Sequence, residues 1–185
     1  MIIILDFQNI YSYYLGMIKR TFTVLLILLS LVSASVFAGN GILSSFSATD
    51  LDGKQIDESY LKAKDLTLVF VWGTYCGYCR QEMPTLEKLS AEYENFQILG
   101  VVTDLLDKKG NVNASQLAKA NQIIKQTGIS APSLLPNESL AKMLKNAYAL
   151  PYAIFVDKDG NQMGIGRYGM QTEAALKKDI ERFLK

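Results

Sequence analysis

Histidine is absent from this 185-residue chain, and the absence removes whole classes of chemistry. No Ser-His-Asp or Cys-His pair, no histidine general base and no histidine-ligated zinc or haem iron can be built from it. Cysteine is nearly absent as well, with two in all. Structural zinc usually takes four Cys or His ligands, so two cysteines alone would need carboxylates to complete the shell. A c-type haem attachment is also excluded, because Arg80 and not histidine follows the second cysteine. Neither sign of charge dominates: 19 Lys and Arg stand against 18 Asp and Glu, which leaves no electrostatic case for nucleic acid or an acidic substrate.

The two cysteines stand together as Cys76-Gly77-Tyr78-Cys79, directly after the apolar run Leu66 to Trp72, which reads as a buried strand. At a strand-to-helix junction, a Cys-x-x-Cys lets a helix N-terminus ionise one thiol while the other waits within bonding distance. Thiol-disulfide exchange is therefore the first reading of the function, with the disulfide itself in place of any cofactor or metal.

The N-terminus bears on the compartment. Lys19 and Arg20 precede Thr21 to Val32, an apolar stretch short for a membrane span, followed by small residues ending Val36-Phe37-Ala38. Residues 1–38 read as a leader: a secretory signal starting at Met17 and cleaved after Ala38, or an uncleaved anchor that would be the sole membrane contact. Either form puts residues 39–185 in an oxidising, extracytoplasmic compartment, periplasm or outer membrane face, where an exposed Cys-x-x-Cys has redox work.

Residues 39–185 alternate strand and helix signals, as in an α/β sandwich around a central sheet. Gly77 to about Tyr93 is predicted helical, with Met83, Leu86, Leu89 and Tyr93 on one face and a bend at Pro84. Phe96 to Val102 reads as a strand, and Asn113 to Thr127 as a helix closed by Gly128, with Leu117 and Ile124 inward. After a short extended piece over Ile129 to Leu135, a helix capped by Asn137 is predicted to about Tyr148. Tyr152 to Val156 and Gln162 to Tyr168 form a hairpin. Thr172 then caps a last helix, with Ala175, Leu176, Ile180 and Leu184 inward. Ile42 to Ala48 and the Asp52-Gly53-Lys54 turn predict a further hairpin at the sheet edge.

Two segments carry a family likeness. Val69 to Pro84, with Trp72-Gly73-Thr74-Tyr75-Cys76-Gly77-Tyr78-Cys79 at its centre, resembles the active-site segment of extracytoplasmic thioredoxin-like proteins of the TlpA/ResA type. Ala149 to Gly160 resembles their segment with a cis-proline before a strand and hairpin. The resemblance implies a thioredoxin-like three-layer α/β/α sandwich with a central mixed sheet, an extra N-terminal hairpin and a central insertion.

Site roles follow. Helix geometry makes Cys76 the attacking sulfur and Cys79 the resolving one. The resemblance assigns Glu82 to proton handling, at a site where plain thioredoxins instead use an aspartate at the position of Phe70. It also makes Leu150-Pro151 a cis peptide that presents backbone to a client. It implies electrons received from a membrane protein of the DsbD/CcdA type and passed to disulfides of exported proteins, apocytochrome c among them. Trp72 and Tyr75, next to the motif, are expected to border the site, with packing in the core as the alternative for each.

Direction stays open, because Cys-x-x-Cys potentials span roughly −270 to −120 mV. A disulfide-forming oxidase is the alternative within this chemistry. A non-catalytic binding module with a structural Cys76–Cys79 staple and a peroxiredoxin-like peroxidase are the alternatives outside it. The peroxidase fits less well, since its threonine should stand three residues before the cysteine and Thr74 stands two before Cys76.

Overall fold

A computed structural model describes residues 41–185, so the leader and its cleavage point lie outside the described residues. Five strands form the central sheet: β3 (Leu66–Trp72), β4 (Phe96–Val102), β5 (Ser133–Leu134), β6 (Tyr152–Asp157) and β7 (Gln162–Tyr168), in the order β5-β4-β3-β6-β7. β3, β4 and β5 are parallel, whereas β6 runs antiparallel to β3 and to β7, so the sheet is mixed. Every residue of β3 is buried, because both faces of the strand are covered.

One face of β3 sends Leu66, Leu68, Phe70 and Trp72 into a cluster with Met83, Leu86 and Leu89 of α1 (Gly77–Glu92). Ala120 and Ile123 of α2 (Ala114–Thr127) and Leu176 and Ile180 of α4 (Glu173–Phe183) join them. On the other face, Val69, Val71, Leu99, Val101 and Ile154 pack with shorter pieces. These are Leu61 of a 3-10 turn (Glu58–Ala63), Met143 of α3 (Ala141–Leu144), and Phe46, Ala48 and Ile56 around the N-terminal hairpin. Three layers result, the third one patchwork.

The hairpin is a separate two-stranded sheet of β1 (Ser47–Thr49) and β2 (Gln55–Asp57), shorter than its apolar pattern suggests. It meets the main sheet at β5, where Leu51 N–H donates to Ser133 O and Leu135 N–H to Thr49 O. The edge placement expected from sequence is therefore observed. At its start, Leu43 N–H donates to Gly160 O, 3.0 Å away, in the turn between β6 and β7. Gly160 has φ +76°, and a Cβ there would fall 2.4 Å from the Leu43 carbonyl carbon, so no other residue fits without displacing that strand entry.

Three expectations need correction. The segment after Asn137 is not one helix to Tyr148 but a 3-10 turn (Glu138–Leu140) running into the single turn of α3. Asn137 does not cap it: its Nδ2 donates instead to Ser47 O at 2.7 Å, so tertiary bonding to the hairpin outcompetes the local cap. On α4, Ala175 is exposed, and Asp179 takes the inward place because Arg167 of β7 pairs with it. On α2, Leu117 and Ile124 pack against the core as expected, beside the fully buried Ala120 and Ile123. Pro84 lies inside α1 without interrupting it.

Candidate active site

β3 ends at Trp72, and the chain turns through Gly73-Thr74-Tyr75 before α1 begins. Cys76 N–H donates to Gly73 O at 3.0 Å, closing the turn and placing Cys76 at the N-cap of α1 in extended conformation. Its Sγ accepts the Cys79 N–H at 3.1 Å. A sulfur thus occupies the position that a serine or aspartate oxygen usually holds at a helix start, where unpaired N–H groups and the helix dipole favour negative charge.

Cys76 and Cys79 are joined in a disulfide, with Cα atoms 5.3 Å apart. The two sulfurs are not equivalent. Cys79 is wholly enclosed, whereas Cys76 retains 7% exposure and lines a cleft of about 710 Å³. Tyr75, Tyr78, Asp104, Tyr148 and Leu150 also line that cleft.

The Leu150–Pro151 peptide is cis. It brings Leu150 to the cleft that holds Cys76, as the sequence predicts for the backbone-presenting segment. Pro151 O accepts Gly169 N–H at 2.9 Å, so the loop after β7 is fastened to the cis-proline. Gln171 continues the chain of contacts: its Nε2 donates to Gly169 O at 2.7 Å and its backbone N–H to Glu82 Oε1 at 3.1 Å.

Glu82 stands one helical turn beyond Cys79 on the same face of α1 and is 2% exposed. Its Oε2 is buried with no hydrogen-bond partner among the described residues. Burial raises its pKa to about 7 against the opposing pull of the Gln171 N–H, so the carboxyl takes up and releases protons near neutrality. Phe70, where plain thioredoxins carry an acid, is buried among apolar side chains of the cluster that contains both cysteines.

Tyr75 is 68% exposed at the cleft, but Trp72 does not border it. The indole is completely buried, with Nε1 donating to Ser133 Oγ at 3.3 Å, so Trp72 offers no surface to a client and serves the core. The expectation for Trp72 is corrected on that ground. Aromatics beside the motif look alike in sequence; Trp72 belongs to a strand covered on both faces, and the turn after it leaves Tyr75 outside.

Sequence reasoning missed Asp104 and Thr74. Thr74 is fully buried, and both its N–H and its hydroxyl donate to the Asp104 carboxylate, at 3.0 and 2.7 Å. Only a contact thirty residues away in sequence creates this clamp, and no local pattern announces it.

Comparison with known proteins agrees with this geometry. Residues 37–180 match the Redoxin family. The chain belongs to that family. It is 31% identical over 141 residues to the thiol-disulfide oxidoreductase ResA of Bacillus thuringiensis (strain Al Hakam), covering 76% of this chain and 73% of that one. A 32% match over 116 residues to a ResA of Bacillus cereus covers 63% of this chain and spans 62% of that relative's length. In fold, the chain is similar to a thioredoxin-family thiol:disulfide interchange protein of Chlorobium tepidum TLS, with TM-score 0.61 and 23% identity over 76% of this chain and 94% of that one. The fold is thioredoxin-like, and this Redoxin family member is a thiol-disulfide oxidoreductase of the ResA type whose redox pair is Cys76 and Cys79.

Proposed function

We propose that this oxidoreductase works outside the cytoplasm as a reductase of cysteine-containing exported proteins, apocytochrome c among them. Its electrons would come from a membrane donor of the DsbD/CcdA type. The observation that carries the reading is the asymmetry of the two sulfurs: Cys76 at the cleft and at a helix N-cap, Cys79 sealed behind it. The secretory pattern of residues 17–38 supports the compartment.

The exchange runs as two displacements. The Cys76 thiolate attacks one sulfur of a client disulfide, forming a mixed disulfide and releasing the other client sulfur as a thiolate that takes up a proton. The Cys79 thiol then loses its proton, with Glu82 as the nearby acceptor, and attacks Cys76 Sγ. That step closes the Cys76–Cys79 bond and frees the second client thiol. Two electrons pass from the pair to the client, and the membrane donor restores the dithiol by the reverse steps. During attack, Leu150 beside the cis-proline offers strand-like backbone hydrogen bonds to the client peptide.

Trapping tests the reading. Cys79→Ser should accumulate mixed disulfides with exported cysteine proteins, and Cys76→Ser should accumulate none. Equilibration of the wild-type pair with glutathione fixes the direction: a pair that glutathione readily reduces would mark an oxidase and overturn the reductase.

A further inference from the structure

The turn before Cys76 is gripped from outside its own segment. Both oxygens of Asp104 approach the Thr74 N–H, at 3.0 and 3.1 Å, and Oδ2 also takes the Thr74 hydroxyl at 2.7 Å. The same hydroxyl oxygen lies 3.0 Å from the Gln116 side-chain amide on the first turn of α2. A hydroxyl has one proton. Gln116 Oε1 faces that oxygen, so the single hydroxyl proton is shared between Oδ2 of Asp104 and Oε1 of Gln116.

Asp104 therefore touches two things at once. It holds a completely buried residue two positions before Cys76, and it lines the cleft that Cys76 lines. The other ionisable side chains on that cleft are the phenols of Tyr75, Tyr78 and Tyr148. From α1, Arg80 folds its guanidinium back toward Gly77, with Nη2 4.0 Å from where a Cβ would stand, and Glu82 is buried against the Gln171 N–H. A thiolate on Cys76 thus forms between a helix terminus that favours it and a carboxylate on the same cleft that disfavours it.

We propose that Asp104 is a positioning residue for exchange: through Thr74 it fixes the turn that seats Cys76 at the start of α1, and its negative charge opposes the Cys76 thiolate, which keeps the pair reducing. The inference rests on the reductase reading above. A destabilised thiolate disfavours the dithiol form, so two glutathione molecules reduce the Cys76–Cys79 disulfide to the dithiol, forming one glutathione disulfide, less readily than they would without the carboxylate.

Asp104→Asn removes the charge and keeps an oxygen for the Thr74 N–H. In the reduced protein, the midpoint of iodoacetamide alkylation against pH should fall by about half a unit. At a pH above that midpoint, where the thiolate predominates, the reduced-to-oxidised ratio at fixed glutathione should rise about threefold, the change that half a unit implies. Asp104→Glu should return both readouts most of the way to wild type. Asp104→Ser, which also lacks the charge and keeps an acceptor, gives the same readouts if the asparagine variant does not fold. A purely structural residue would lower the melting temperature and leave both readouts alone; that result, or a shift of the opposite sign, overturns the inference. If Cys79→Ser with Asp104 intact traps no client, the reductase reading fails instead, whatever Asp104 does to the thiol.

Discussion

Two buried carboxylates lie on helices that pack against the same face of the sheet, and their surroundings are opposite. Asp179 of α4 is held by Arg167, whose Nε and Nη2 reach both carboxylate oxygens at 2.8 to 3.1 Å. Glu82 of α1 receives one backbone N–H and leaves Oε2 enclosed without a partner among the described residues. Charge buried with a bidentate cation ties β7 to α4 and belongs to the fold. Charge buried with almost nothing is costly, and here it sits one turn from the resolving cysteine. Burial without a structural return is what the proposed role of Glu82 as the proton acceptor in exchange would require.

The largest expected effect separates the two by pH. Because the folded pKa of Glu82 lies near 7 and the unfolded value near 4.5, the folded chain holds the proton more tightly. Stability is then fullest below the unfolded value and declines as pH rises through about 7, by up to about 3 kcal/mol. Urea denaturation of the oxidised protein between pH 4 and 8 should show that decline, and Glu82→Gln should flatten it. The same substitution should remove the inflection near pH 7 from the rate of exchange. A slope that survives in Glu82→Gln would assign it to another group and end the contrast.

A smaller effect is expected at the paired acid. Asp179→Ala leaves Arg167 half-exposed without its partner and should lower stability by about 2 kcal/mol, less than a fully buried pair would lose because water reaches the guanidinium. The pH profile of exchange should be that of wild type. Were it to change as Glu82→Gln changes it, the division of labour between the two carboxylates would be wrong. The smallest effect belongs to the exposed ion pairs: Lys177→Ala breaks contacts with Glu92 and Glu173 at the surface and should not measurably move the melting temperature.

What could be read from the sequence, and what could not, divides along the reach of the interactions. β3, β4, α2 and the β6–β7 hairpin have nearly the bounds that apolar runs, Asn113 and Gly128 predict, because those signals act within a few residues. The dithiol was legible for the same reason. The failures sit where distant partners decide: Asn137 turns to Ser47, Trp72 to Ser133, Asp179 to Arg167. Glu82 was visible as an acid on the right helix face. Its isolation was not, since that depends on Gln171, 89 residues further on, closing over it.

The anchoring of Leu43 on Gly160 marks one pole of the domain. Leu66 pairs with Asp157 at one end of the sheet, and Val71 pairs with Tyr152 at the other, next to the cis-proline and the reactive sulfur. Leu43 therefore lies at the pole remote from Cys76, about 20 Å away along a seven-residue strand.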